Sequence, residues 1–261
     1  MKRTPIIPDL SLFPEYYHAL LEGRPVFDSS CSQDARVYFL DTEGGLFLKT
    51  GKKGALETEA RMNTFFHSKG LGPEVLSYRS EEADWLLTRK IHGEDCTHPM
   101  YISDPKRLCD TLAHQLRTLH ETDFSGCPVT DKNQTYRKTS QTGYLSGTYE
   151  PELFETWWDF ASPEDTMLVI QENAQGLQGQ VLLHGDYCLP NILLDNWKFS
   201  GFIDLGNGGI GDRHIDLLWA LWTVYFNLHT HHYRDRFIDA YGRQLVDNDL
   251  LRTVAAMEVF R

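Results

Sequence analysis

Residues 181–206 read VLLHGDYCLPNILLDNWKFSGFIDLG, and few folds can place that pattern. Val181-Leu182-Leu183 and Ile192-Leu193-Leu194 are apolar runs of strand length on either side of HGDYCLPN. Phe202-Ile203 is a third run, ending at Asp204. Asp186, Asn191 and Asp204 therefore fall at strand ends or tight turns, where side chains can converge. Asp and Asn are also ordinary turn residues; the flanking apolar runs favour a convergent site over that plainer reading.

Asn191 follows Asp186 by five residues and Asp204 follows Asn191 by thirteen. In phosphoryl transfer one carboxylate orients a hydroxyl, while an amide oxygen and a second carboxylate hold Mg²⁺ on a nucleotide phosphate. The same chemistry needs a cation on the phosphates and an acid to hold it. Lys49 in LFLKT stands on a predicted strand, and Glu59 on the following helix is its best partner. Glu57 competes, but two residues apart on a helix means a different face. By itself Lys49 reads as a solvent-facing charge; the helix acid and the downstream motif change that. The span 28–36 (DSSCSQDAR) lacks glycine, so a Ser-rich turn would have to offer N–H groups and hydroxyls to phosphate. Phe47 alternates with Leu46 and Leu48, so it either faces an adenine or fills lobe core.

The rest of the chain supplies a frame for these residues. Residues 9–22 suggest a short helix interrupted at Pro14. Arg36–Leu40 and Leu46–Thr50 read as strands around a Gly44-Gly45 turn. Leu56, Met62, Phe65 and Phe66 mark one helix, stopped at Gly70. Pro73–Arg79 and Trp85–Ile91 read as two more strands. Leu108, Leu112, Leu116 and Leu119 form one apolar stripe over 105–120, with Pro105 in its first turn. Residues 125–150 are polar and turn-rich and read as loop, and 151–175 as one or two helical segments. Helices are expected at 212–228, 233–245 and 248–261, with the aromatics of WALWTVYF as buried core. His229, His231 and His232 read as capping or solvated residues rather than a metal cluster. The expected class is α+β, a bilobal protein-kinase-like fold. Residues 1–91 would form a small antiparallel-sheet lobe with one helix that binds nucleotide. Residues 92–261 would form a larger, mainly helical lobe for catalysis and substrate.

With 261 residues the chain can bury a substantial core. Its net charge of −12, from 37 acids against 25 Lys and Arg, argues against a nucleic-acid or anionic-membrane partner and suits a cationic substrate. Five scattered cysteines without a CxxC fit reduced thiols of a cytoplasmic protein. MKRTPIIPDL does not read as a secretory leader, and no run approaches the ~20 apolar residues of a membrane span. A monomer is expected.

Together these residues resemble the aminoglycoside phosphotransferases, and most closely the 3′-phosphotransferases (kanamycin/neomycin kinases). The resemblance covers most of the chain and is strongest from Val181 to Leu218, with LFLKT, PEVL, LRTLH and MEVF in support. HGDxxxxN alone is shared with other small-molecule kinases; Asp212, Arg213, Asp216 and Leu217 narrow it. The resemblance implies ATP and Mg²⁺ as cofactors and a cationic aminoglycoside as acceptor, with the γ-phosphoryl group of ATP moved to its 3′-hydroxyl. It implies Asp186 as catalytic base, Asn191 and Asp204 on Mg²⁺, and Lys49 with Glu59 on phosphate. Phe47 would stack on adenine, with hinge contacts from Thr88, Lys90 and Ile91. Glu155, Asp159, Asp212, Arg213, Glu258 and Phe260 would meet the acceptor, and His184 and Asp216 would support the catalytic loop. Two positions depart from the family: Asn207 stands where Arg is common, and Arg261 follows Phe260, displacing a carboxylate that would reach the drug. Both bear on the acceptor rather than on phosphoryl chemistry. The alternatives are a kinase of another small alcohol, such as a macrolide or metabolite, or a nucleotide-binding kinase-like protein without catalysis.

Overall fold

The computed structural model describes residues 3–31 and 35–261. Part of the Ser-rich turn expected to meet phosphate, Ser32 to Asp34, lies outside the described residues. In chain order the elements are β1 (Thr4–Ile6), α1 (Glu15–Leu21), β2 (Val26–Asp28), β3 (Ala35–Leu40), β4 (Leu46–Lys52), α2 (Glu57–Ser68), β5 (Val75–Ser80), β6 (Ala83–Arg89) and β7 (Glu94–Asp95). There follow α3 (Pro99–Ile102), α4 (Pro105–Glu121), α5 (Lys132–Ser146), α6 (Pro163–Asn173), β8 (Val181–Leu183), β9 (Ile192–Asp195), β10 (Lys198–Phe202), β11 (Gly209–Gly211), α7 (His214–Leu228), α8 (Arg234–Tyr241) and α9 (Asn248–Glu258).

Two compact units result, residues 1–96 with 190–207, and residues 97–189 with 208–261. They differ in extent from the expected lobes of 1–91 and 92–261. The hairpin β9–β10 belongs to the first unit, because β9 pairs with β7 as well as with β10.

The first unit is built on a six-stranded antiparallel sheet of order β1-β2-β3-β4-β6-β5. Side chains alternate faces along a strand. Leu46 and Leu48 of β4 join Trp85 and Leu87 of β6 against Phe13, Tyr17 and Leu21 of the α1 region. Leu86 of β6 packs with Leu56 and Ala60 of α2. The alternation thus turns Phe47 and Lys49 away from the α1 core. No side chain of α2 caps its own N-terminus. Fully buried Asp84 of β6 accepts instead from the Gly54 and Leu56 N–H groups at 2.9 and 2.8 Å, which anchors the helix entry to the sheet.

The second unit is helical around the two-stranded pair β8–β11. Leu108, Leu112, Leu116 and Leu119 of α4 are buried, as their spacing predicts, and α4 packs on α7 and α8. α9 packs on α5, α6 and α7. The 125–150 region differs from its loop reading: Asp131 caps α5 by accepting from Gln134 N–H, and Gly147 ends it at φ 79°. Its buried face is Lys132, Tyr136, Ser140 and Gly143, so helical spacing is present without the apolar residues that normally reveal it.

Candidate active site

In the first unit, β4 and α2 bring Lys49 and Glu59 together. Lys49 Nζ donates to Glu59 Oε2 at 2.7 Å and to Asp204 Oδ1 at 2.9 Å. Glu59 lies on the buried face of α2, whereas Glu57 is exposed. Burial alone would lower the Lys49 pKa, but Glu59 and Asp204 outweigh it and hold the pKa above the ordinary lysine value. Lys49 is therefore a fixed cation at neutral pH.

Asp204 follows β10 at φ 58°, a left-handed conformation that Asp tolerates better than most residues. The preceding Ile203 N–H donates to the Asn191 carbonyl at 3.0 Å, which ties the two expected metal ligands into one piece of backbone. The Asp204 side chain stays 52% exposed despite its ion pair, so carboxylate surface remains available to a ligand.

Lys49, Glu59, Asn191 and Asp204 line a cavity of about 640 Å³ within this unit, with Phe47, Leu86, Thr88, Lys90 and Ile91 on its wall. That volume lies within the ~300–1,000 Å³ of small-molecule sites. Phe47 is half-buried here, beside the Phe39 ring at 5.1 Å. The Arg89 and Lys90 N–H groups are taken by the Glu74 and Gly45 carbonyls, at 2.9 and 3.1 Å. Among the described residues no group of three or more His, Cys, Asp or Glu is placed to hold a metal. An amide oxygen and a carboxylate are nonetheless the partial, hard-oxygen set that suits Mg²⁺ when phosphates and waters complete its shell.

In the second unit, Asp186 sits half-buried in the loop after β8. The loop is fixed by α7 and α4. Asp216, fully buried, accepts from the Gly185 N–H at 2.7 Å through Oδ1 and the His184 N–H at 2.8 Å through Oδ2. His184 Nδ1 is 3.3 Å from the Asp186 N–H and accepts from it. The Tyr187 hydroxyl donates to the Leu112 carbonyl at 2.9 Å, and Thr223 Oγ1 accepts from the Leu189 N–H at 3.1 Å.

A buried relay missed by the sequence reading extends this brace. His120 Nε2 lies 3.2 Å from Asp216 Oδ2, and its Nδ1 lies 2.7 Å from the Tyr241 hydroxyl. A neutral His120 that donates from Nε2 and accepts at Nδ1 satisfies both contacts. Burial lowers the His120 pKa, and burial pushes Tyr241 up to about 12. LRTLH was visible as a motif, but the partner of its histidine lies nearly a hundred residues away.

The residues expected to meet the acceptor divide into two groups. Glu155 and Asp159 are exposed beside the short 3-10 turn at Pro151–Phe154. Asp212 is buried and spent on the fold: it accepts from the Gly179 N–H at 2.7 Å, the His214 N–H at 3.0 Å and His214 Nδ1 at 2.6 Å. Burial opposes its charge, but those bonds keep its pKa below the usual aspartate value. Arg213 donates to the Tyr241 hydroxyl at 3.2 Å and so joins the brace. Glu258 is buried and accepts from Trp219 Nε1 at 3.1 Å and from the Arg261 guanidinium at 2.7 Å. Phe260 is 1% exposed and packs on the Tyr144 and Tyr149 rings, so it is core rather than pocket wall.

Residues 30–256 match the model of a phosphotransferase enzyme family described as APH. Among curated proteins, a probable aminoglycoside 3′-phosphotransferase of Lactococcus lactis subsp. lactis is 44% identical over 97% of this chain and 96% of its own length. Among solved structures, an aminoglycoside-3′-phosphotransferase of type VIII superposes with a TM-score of 0.73 at 24% identity, covering 89% of this chain and 91% of the other. The aminoglycoside phosphotransferase APH(3″)-Id from Streptomyces rimosus superposes with a TM-score of 0.77 at 22% identity, covering 97% and 98%. At those identities the two structures share the fold.

Proposed function

This chain belongs to the aminoglycoside phosphotransferase family of kinase-type enzymes, and from that premise we propose that it moves the γ-phosphoryl group of ATP to the 3′-hydroxyl of an aminoglycoside. The observation that carries the reading is Lys49, held by Glu59 and Asp204 on the wall of a cavity that Asn191 also lines. The 3′ position is supported by the name of the 44% identical relative.

The roles in this reading are those the resemblance implies, and the Lys49 ion pairs and the cavity that Asn191 also lines support them. Lys49 meets nucleotide phosphate, and Glu59 keeps it extended toward the cavity. Phe47 offers a ring face to the base, and the Thr88–Ile91 strand end offers backbone groups to its edge. Asn191 and Asp204 hold Mg²⁺, which when bound neutralises phosphate charge. Asp186 accepts the proton of the attacking hydroxyl from about 2.6–3.2 Å. Phosphoryl transfer asks the protein mainly for positioning and charge neutralisation. On the acceptor side, Glu155 and Asp159 remain the acids open to ammonium groups by charge-assisted hydrogen bonds.

A second acceptor class is favoured by one observation. Asp212 and Glu258, two of the four acids expected to meet amines, are already bonded within the protein. A small alcohol with fewer ammonium groups would need fewer acids.

The deciding experiment is ADP release with ATP and Mg²⁺ against kanamycin, neomycin, the 3′-deoxy aminoglycoside tobramycin, a macrolide and choline. Turnover of kanamycin and neomycin without tobramycin is the expected result. Turnover of tobramycin would move the phosphorylated position, and turnover of only the macrolide or choline would replace the acceptor class.

A further inference from the structure

The cavity of the first unit carries on its wall a buried amide whose oxygen has no partner. Asn63, on α2, lines that cavity and is 2% exposed. Its Oδ1 is buried and makes no hydrogen bond among the described residues. Buried polar atoms are normally paired, so an orphan acceptor beside a cavity calls for a donor from what the cavity holds. The torsion that carries a side-chain amide is broad, which lets Oδ1 turn toward such a donor.

Helix spacing fixes where Asn63 stands. It lies four residues after Glu59 and three after Ala60, and both spacings bring side chains to one face. Glu59 binds Lys49 of β4, and Ala60 packs with Leu86 of β6. In the sheet Lys49 is paired with Leu86, and Phe47 with Thr88. Side chains two apart on a strand share a face, so Leu86 and Thr88 are neighbours on the cavity wall. The wall therefore runs from Thr88 through Leu86 to Asn63, with Phe47 and Lys49 beside it on β4. All of these residues belong to the first unit. The cation on this wall does not serve Asn63, because Lys49 Nζ donates to Glu59 and Asp204.

We propose that Asn63 selects the base of the nucleotide: its Oδ1 accepts a hydrogen bond, directly or through one bridging water, from the exocyclic amino group of adenine. The inference rests on the phosphotransferase reading above, in which Phe47 meets the base and Lys49 the phosphates. The amino group carries two N–H donors, so one is free for the backbone at Thr88–Ile91 and the other for Asn63. Guanine presents a carbonyl oxygen at the same ring position. Two acceptors would then face each other, and the amide oxygen would stay unpaired. The phosphates offer it no donor, and the ribose hydroxyls are the other donors that ATP carries.

The test measures the affinities of ATP, GTP and purine riboside triphosphate, each with Mg²⁺, by calorimetry for wild type, Asn63→Leu and Asn63→Ala. Purine riboside triphosphate lacks the amino group and keeps the ribose and the phosphates. Wild type should prefer ATP to both of the others. Asn63→Leu should bind ATP about 10-fold more weakly, the worth of one hydrogen bond, and bind the other two as wild type does. Without ligand it should unfold at a higher temperature than wild type, because a buried amide without a partner has been removed. Asn63→Ala should lose ATP affinity in the same way and decides the question if leucine crowds α2. An unchanged ATP-to-GTP ratio in both variants would overturn the proposal and leave a structural asparagine. An equal loss for purine riboside triphosphate would overturn it too and move the contact to the ribose. Wild type that binds none of the three would fail the phosphotransferase reading and this inference with it, whereas ATP binding with an unchanged ratio fails the inference alone.

Discussion

Asp216 is fully buried, and the His184 and Gly185 N–H groups of the loop after β8 donate to its oxygens. His120 and Tyr241 extend that brace inward. Because burial holds the His120 pKa below its ordinary value, the unfolded chain takes up a proton at higher pH than the folded one. The stability this supplies is complete above about pH 6.5, the ordinary histidine value, and is lost as pH falls toward the folded pKa. Thermal unfolding between pH 7.5 and 5 should therefore show a falling midpoint, and a shallower fall in His120→Gln. At pH 7.5 that variant should be less stable by about 1–3 kcal/mol, since it disturbs a buried hydrogen-bond pair. Parallel pH curves for the two proteins would remove His120 from the explanation. Asp186 makes the complementary case, because it is absent from the lining of the nucleotide-sized cavity. Asp186→Ala should lower kcat by about 10²–10⁴-fold. Its ATP–Mg²⁺ affinity by calorimetry should match wild type, and a matching loss of affinity would instead place Asp186 on the nucleotide.

At the scale of elements, the closest approach that bears on the site region is between α5 and the end of α9. A Cβ at Gly143 would stand 1.7 Å from the Phe260 carbonyl oxygen and 2.8 Å from its carbon. Both atoms are backbone, so neither can swing aside. Gly143→Ala should push the helices apart and cost at least about 1–3 kcal/mol of stability. It should also disturb Glu258 and Arg261, which flank Phe260 in the chain. A chemical denaturation midpoint shifted down at unchanged slope is the expected signature; an unshifted midpoint would mean that the two segments do not approach this closely. The same helix explains a gap in the sequence reading. α5 buries Lys132, Tyr136, Ser140 and Gly143, and a small, polar face leaves no apolar stripe to find. α4, with four leucines on one face, was legible from spacing alone.

At the scale of the molecule, the chain passes between its two units at residues 96–97, 189–190 and 207–208. A fragment of residues 1–96 therefore lacks β9, β10, Asn191 and Asp204. It keeps the Lys49–Glu59 pair but loses the second anchor of Lys49 and a partner of β7. Such a fragment should show no ATP–Mg²⁺-dependent rise in unfolding temperature, whereas the full chain should. Equal protection in both would mean that residues 190–207 contribute nothing to nucleotide binding. Among the described residues no helix is long and apolar enough to cross a membrane. The charge of −12 belongs to this scale as well: if the acceptor is polycationic, as proposed, its KM should rise with salt, and a salt-independent KM would remove the surface charge from the explanation.

The sequence by itself determined the local chemistry. Alternation along LFLKT put Lys49 and Phe47 on one face and the leucines on the other, and helix geometry separated Glu59 from Glu57. The order HGD, Asn191, IDLG pointed to phosphoryl transfer before any fold was known. These are properties of neighbours a few residues apart, where strand and helix periods decide which side chains share a face. Only the tertiary structure decided which acids are open. Asp212 and Glu258 have the composition of amine-binding residues, but His214, Gly179, Trp219 and Arg261 already occupy them. It also returned residues 190–207 to the first unit, joined His120 to Asp216, and buried Lys132 against Gly209 and Gly211. Each of these depends on partners far apart in the chain, and whether a charge is satisfied is settled by packing rather than by local period.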